Sequence, residues 1–310
     1  MNHGWIYYDR VDHATAGLTL LMFYAQRYRH STPQTWHDRI LAGQIWVDGQ
    51  PAPAETQLHQ GQQLSYHRPP WQEPEVPLTF EVHYDDGEVV VVAKPAGLPV
   101  LPGGGFLEHT LWWQVQQQFP LNTPMPVHRL GRGTSGLVLM ARSPQARAEL
   151  SRQLRDHQMG KTYRALVGKV EGADRFSIDH PIGKVSHPVL GYIYAATPQG
   201  RWAHSDCQVL DRQREVTILE VTILTGRPHQ IRIHLAVAGY PLIGDPLYGA
   251  GGLPRPLPGA TQTHSLELPV PGDCGYHLHA YALAFTSPRT GELLEIICPP
   301  PPVLAASRKG

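Results

Sequence analysis

Along the chain, apolar positions recur first at helical spacing and then in short β-type runs. Over 15–29, Leu18, Leu21, Met22 and Tyr24 favour one face, which predicts an amphipathic helix. A second short helix is predicted over 35–42. Gly43 then leads into the alternating Gln44-Ile45-Trp46-Val47 and the turn Asp48-Gly49, a strong hairpin signal. A strand over 58–66 completes this part, and Pro69, Pro70, Pro74 and Pro77 then interrupt regular structure. The pattern predicts a small N-terminal α/β domain over 1–70, a proline-rich linker over 71–78 and a larger domain over 79–310.

In the larger part, the β-branched run over 89–93, ended by Lys94-Pro95, predicts a buried strand, because it is too short for a helix. A helix is predicted over 143–158, with Ala146, Leu150 and Leu154 on one face, and strands over 162–167, 203–210 and 216–224. Pro299 to Pro302 read as a tail crossing the surface. The expected class is α+β: a mixed, largely antiparallel sheet with flanking helices, plus the small N-terminal domain. The 30 glycines and 30 prolines among 310 residues agree with a turn-rich, β-rich protein.

Charge changes this picture only locally. Lys plus Arg and Asp plus Glu balance at 26 each, which excludes a globally basic nucleic-acid coat. Between Pro126 and Ala165, however, Arg129, Arg132, Arg142, Arg147, Arg152, Arg155, Lys161 and Arg164 face only Glu149 and Asp156. Glu73, Glu75, Glu81, Asp85, Asp86 and Glu88 occupy a stretch without Lys or Arg. The basic stripe suits a phosphate backbone, although Arg147, Arg152 and Arg155 are equally explained as the solvated face of the 143–158 helix. Cys207, Cys274 and Cys298 are odd in number and lack CxxC spacing, so a reducing cytoplasm is expected, with neither disulfides nor zinc. No apolar run approaches the ~20 residues of a membrane span, and the start lacks the order of a signal peptide, so a soluble, unprocessed protein is expected.

The densest chemistry is the loop His128-Arg129-Leu130-Gly131-Arg132-Gly133-Thr134-Ser135-Gly136, which lacks the lysine and glycine spacing of a phosphate-binding Walker loop. This loop resembles the catalytic loop of the RluA-type RNA pseudouridine synthases. The blocks Lys161-Thr162-Tyr163-Arg164-Ala165, Thr225-Gly226-Arg227-Pro228-His229-Gln230-Ile231-Arg232-Ile233-His234-Leu235, Gly239 to Gly249 and Leu278-His279-Ala280 follow in that family's order. The resemblance spans roughly 77–302, and the first 70 residues resemble, more weakly, the ribosomal S-four-type RNA-binding module.

The resemblance implies a cofactor-free isomerisation of uridine to pseudouridine in rRNA or tRNA. Arg129 would enter the helix stack as the target nucleotide is extruded, Tyr163 would stack on the flipped uracil, and Arg232 would pair with the family's catalytic Asp. His128, Arg132, Thr134, Lys161 and Arg227 would join Arg129 in holding RNA. The catalytic Asp itself would stand at position 131, where this chain has Gly131, which carries no nucleophile or base. Asp206 and Asp245 are the candidate substitutes, and Gly131 is expected to allow a positive φ. Two readings stay open: an active synthase with a relocated acid-base group, or a non-catalytic RNA-binding or assembly protein. A nucleoside or glycoside hydrolase would need two carboxylates at a defined separation, and no such pair is evident. His277 with His279, or His229 with His234, lack a third ligand, so no metal is expected, and no feature calls for an oligomer.

Overall fold

The computed structural model describes residues 1–187, 191–255 and 274–306. Main-chain proximity divides them into two units, Met1–Glu73 and the residues from Pro74 onward.

The first unit runs β1 (Trp5–Arg10), α1 (Leu20–Arg27), α2 (Pro33–Leu41), β2 (Ile45–Val47), β3 (Gln50–Pro51) and β4 (Gln63–Arg68), with sheet order β1-β4-β2-β3. Helix α1 starts five residues after the predicted boundary. Asp12 to Gly17 fold first into a turn in which the Asp12 carboxylate accepts from Thr15 N at 2.9 Å and Thr15 Oγ1 at 2.7 Å. The Thr19 side chain then accepts from Met22 N as the N-cap. Thr32 caps α2 in the same way, with a proline at its first turn. Leu20, Phe23, Tyr24, Trp36, Ile40, Ile45, Leu58 and Leu64 form the core. Leu58 is buried but lies before the turn at Gly61 (φ +92°), so the strand predicted over 58–66 begins only at Gln63. Strand β1 is largely exposed and lacks alternation, which is why the hydrophobic pattern does not show it.

Residues 69–80 contain no helix or strand, yet both ends are held. In the first unit, Asn2 N donates to Trp71 O at 3.1 Å, Trp71 N to Asn2 Oδ1 at 3.0 Å, and Asn2 Nδ2 to Glu73 Oε1 at 2.7 Å. In the second, His109 Nδ1 donates to Pro74 O at 2.7 Å, and Val76 and Phe80 pack on the core.

The second unit contains β5 (Glu81–Asp85), β6 (Val89–Lys94), α3 (Leu111–Gln118), β7 (Met125–Pro126), β8 (Ser135–Ala141), α4 (Pro144–Arg155), β9 (Gly160–Gly168), β10 (Arg175–Asp179), β11 (Ile182–His187), β12 (Gly191–Ala196), β13 (His204–Arg212), β14 (Val216–Ile223), α5 (Gln230–Val237), β15 (Leu278–Thr286) and β16 (Leu293–Ile297). Among the described residues the main sheet has the order β10-β13-β14-β9-β15-β8-β6-β5, with β16 on β15 and β7 on β8. It is α+β and largely antiparallel, as the pattern predicts, with β15 against β8 as its parallel pairing. Helices cover both faces: Val90 and Val92 pack with α3 and α5, whereas Val89 and Val91 pack with α4. Burial on both sides explains the unbroken valine run. The tail predicted to cross the surface is anchored, with Leu304 buried against Leu166 and Ile218.

At the parallel seam Gly136 has φ +102°, and a Cβ there would collide with the backbone of Ala280. Gly136→Ala combines backbone strain with a main-chain clash, so it should cost at least about 2 kcal/mol. Denaturant midpoints of the two proteins, read on the second unit, test this; equal midpoints would show that the seam tolerates a side chain.

Candidate active site

Three segments meet at one end of the main sheet. Because β8 and β15 are parallel, the residues preceding each, 128–134 and 274–277, lie side by side. The third segment follows β14 and enters α5, where His229 at φ +56° makes the turn into the helix. Arg129, Leu130, Gly131, Thr134, Tyr163, Arg227, His229, Arg232 and Tyr276 line a small cleft between them, of about 100 Å³.

The loop 128–136 is clamped from beneath. Thr134 N donates to Gly131 O at 3.1 Å, closing a turn. The buried Lys94 Nζ donates to Arg132 O at 3.2 Å, Leu98 O at 2.7 Å and Pro95 O at 2.8 Å. His128 Nε2 accepts from Leu139 N at 3.1 Å, which puts its proton on Nδ1, and burial drives its pKa down to about 4. The imidazole is therefore neutral and braces β8, rather than joining the cleft. Ser135 and His279 do similar work on the seam: His279 Nε2 donates to Cys298 O at 3.1 Å, so Nδ1 accepts from Ser135 Oγ at 2.9 Å.

Arg232 does not lack an anion. Its Nε and Nη2 each lie 2.7 Å from the Asp245 carboxylate, with both side chains buried. Asp245 also accepts from Leu247 N and Tyr248 N at 2.9 and 3.1 Å. The guanidinium lies 4.4 Å from the Tyr276 ring centroid and 5.0 Å from that of Tyr248. Burial acts to raise the Asp245 pKa, but the guanidinium and the two N–H donors outweigh it and hold the carboxyl below its ordinary value. Asp245 is thus fully engaged, and Asp206 stands elsewhere, on β13 with Ser177 Oγ and His204. Neither carboxylate lines the cleft beside residue 131. Gly131 is also not at positive φ, contrary to expectation.

The remaining site residues divide between cleft and scaffold. Tyr163 on β9 lines the cleft and packs into the core, where burial pushes its pKa up to about 12. Arg227 lines the cleft while its Nε donates to Trp202 O at 3.0 Å. Gln230 positions that turn, accepting from Thr225 Oγ1 at 2.7 Å and Arg227 N at 3.0 Å. Lys161 is buried with Nζ 3.4 Å from Thr225 O, and burial lowers its pKa to about 8. Arg132 lies over the Phe106 ring at 5.3 Å. Arg129 is exposed at the rim.

Much of the basic stripe folds onto acidic partners. Arg142 pairs with Asp85 from the acidic stretch, Arg164 with Glu220 at 2.8 Å, and Arg152 with Glu149 at 2.7 Å and Asp156 at 3.3 Å. The excess along the chain is therefore not a continuous cationic surface. Among the described residues no group of three or more His, Cys, Asp or Glu side chains could hold a metal ion, and no helix is long and apolar enough to cross a membrane.

Residues that the motif reading passed over include Lys94, seen only as the end of a strand, and Tyr276, two positions before the Leu278-His279-Ala280 block. For Tyr276 the available signal was weak: an aromatic in the place just ahead of a matched block.

Asp245→Asn should leave a buried guanidinium short of its counter-charge and cost about 3–5 kcal/mol. Since the Asp245 pKa is depressed on folding, its contribution is present above the unfolded-state pKa of roughly 4 and lost as pH falls through the folded value. Denaturation midpoints at pH 7 and below pH 4 for both proteins should therefore converge on acidification; a gap that stays constant would sink this assignment.

The family description RNA pseudouridylate synthase matches residues 88–237. An uncharacterized RNA pseudouridine synthase of Synechocystis sp. is 48% identical over 92% of this chain and 95% of its own length. RNA pseudouridine synthase 5 of Oryza sativa subsp. japonica is 41% identical, over 98% of this chain and 88% of its own. The solved structure of human RNA pseudouridylate synthase domain containing 1 shares the fold at TM-score 0.56 and 24% identity, with 76% of this chain and 89% of that one covered. With the cleft built from the blocks that suggested it, and relatives matched over nearly the whole length, the chain belongs to the RNA pseudouridine synthase family.

Proposed function

We propose that this protein binds structured RNA, rRNA or tRNA, and isomerises a uridine to pseudouridine without a cofactor. The observation that carries this reading is the convergence on one cleft of Arg129, Tyr163 and Arg232, the last held from behind by Asp245, in a chain of this family.

In this reading the N-terminal unit is an RNA-binding module and the cleft receives a flipped nucleotide. Arg129, exposed at the rim, fills the gap left in the helix stack, which offsets part of the few kcal/mol that unstacking costs. Tyr163 offers a ring to the uracil. Arg227, Arg132 and Thr134 contact the phosphates or sugar around it, while Lys161 and His128 support the cleft from within. The reaction breaks the C1′–N1 bond, rotates the base and forms C1′–C5. The positive charge that develops at C1′ needs an electron-rich oxygen beside it.

The test is incubation of the purified protein with ribosomal and transfer RNA lacking its own modification, followed by chemical mapping of pseudouridine. Product at discrete sites is expected. Absence of product with RNA binding retained would leave a non-catalytic binder. Binding should weaken at least about tenfold between 50 and 200 mM salt, because phosphate contacts release counterions. A flat salt response would argue against RNA as the ligand. Arg129→Glu should weaken binding or flipping well beyond Arg152→Glu, whose residue is already paired on α4; equal losses would indicate a diffuse patch.

A further inference from the structure

We propose that the Tyr276 hydroxyl is the catalytic group of this cleft, acting at C1′ where the family's carboxylate is absent. The inference rests on the synthase reading above and names the group that reading leaves open.

The first observation is one of space. A Cβ built on Gly131 would lie 3.0 Å from Tyr276 Oη and 3.5 Å from Thr134 Oγ1. The phenol oxygen therefore occupies the volume that a carboxylate on residue 131 would enter. A Cβ on Gly133 would lie 2.9 Å from Tyr276 Cζ and 3.0 Å from Cε1, so the ring itself claims the space over the second glycine. Neither glycine has a positive φ, so backbone conformation does not demand glycine at either position. The tight neighbour at 131 is the Tyr276 hydroxyl, and at 133 the Tyr276 ring is joined by the Cys274 Cα at 3.2 Å.

The second observation is that the oxygen is held. Tyr276 Oη and Thr134 Oγ1 are 3.3 Å apart, and the ring face rests on the Arg232 guanidinium at 4.4 Å. The main chain is fixed as well. Gly244 and Gly275 approach so closely that a Cβ on Gly244 would collide with Gly275 O, which brings the loop carrying Asp245 against the residue preceding Tyr276.

The third observation is elimination. Among the described residues, no Asp or Glu lines the cleft. Asp245 is occupied by Arg232 and two N–H groups. His229 Nδ1 donates to Tyr248 Oη at 2.8 Å, since that hydroxyl donates onward to Tyr194 O at 2.6 Å. Tyr163 lies on the neighbouring strand, paired with Ala280, as a platform for the base.

A phenol is chemically competent here, because some glycosidases use tyrosine in place of a carboxylate as the nucleophile at an anomeric carbon. Burial raises the Tyr276 pKa, while Arg232 and Thr134 oppose the rise, so the group starts as the neutral phenol. As C1′–N1 breaks, the phenol proton passes to N1 and the oxygen forms a bond to C1′. After the base turns, C5 attacks C1′, the C1′–O bond breaks, and the proton lost from C5 returns to the phenolate. One proton moves on and one moves off, with no oxidant, reductant or co-reactant.

The deciding experiment assays the native chain, Tyr276→Phe, Gly131→Asp and the double variant Gly131→Asp with Tyr276→Ala on the same RNA, alongside RNA binding and thermal unfolding. Tyr276→Phe keeps the ring on Arg232 and over both glycines and removes only the oxygen. It should lose at least about a thousandfold in kcat, with RNA affinity within about twofold of native and an unchanged unfolding midpoint. Gly131→Asp alone should be impaired, because the carboxylate meets the phenol, and the double variant should recover product. Tyr276→Phe with near-native kcat would overturn the proposal and leave the synthase reading intact. Product from the double variant but none from the native chain would overturn the role of Tyr276 and mark a fold that lost its chemistry. No product from any of the four proteins, with binding and folding intact, would overturn this proposal and the synthase reading together.

Discussion

The cleft is organised around a buried pair of opposite charges. Arg232, on the first turn of α5, and Asp245, on the following loop, meet in two hydrogen bonds away from solvent. Taking either charge out of water alone is costly, so each fixes the other, and the Leu247 and Tyr248 amides complete the carboxylate's coordination. Tyr248 and Tyr276 then close over the flat guanidinium. The orientation of α5, the path of the 240s loop and the placement of Tyr276 are all set by one interaction, which a lysine could not reproduce because it lacks the planar fork.

What the sequence disclosed follows from how local each feature is. The valine run of β6, the α4 face of Ala146 and Leu150, and the Asp48-Gly49 hairpin turn are short-range patterns and appear where the chain suggests them. The start of α1 does not, because Asp12 and Thr15 offer the backbone side-chain hydrogen bonds that compete with the first helical turn. The cleft's composition was legible from the ordered blocks, but its wiring was not. From the sequence Asp245 reads as a candidate substitute for the missing Asp, whereas its pairing with Arg232 depends on a loop that returns to the helix. Tyr276 and Gly131 are more than a hundred residues apart, so their competition for one volume exists only in three dimensions.

Charge shows the same separation of scales. An acidic stretch and a basic stretch follow one another in sequence, which invites a picture of a polarised surface. Folding sets Asp85 against Arg142 and closes Arg152 onto its own helix neighbours. Exposed pairs of this kind add little stability. Their larger effect is to remove cations from the field that an approaching polyanion meets.

The position of β15 bears on how the protein is made. In the sheet it lies between β9 and β8, and so joins the half built from β5, β6 and β8 to the half built from β9, β14, β13 and β10. In the chain it comes after all of them. A ribosome therefore delivers both halves, each with an unpaired edge, well before the strand that bridges them. Such long-range closure is slow, and open edges in the interval invite pairing with other chains. The cleft, whose walls stand on opposite halves, can assemble only after β15 is out, so neither half alone carries it.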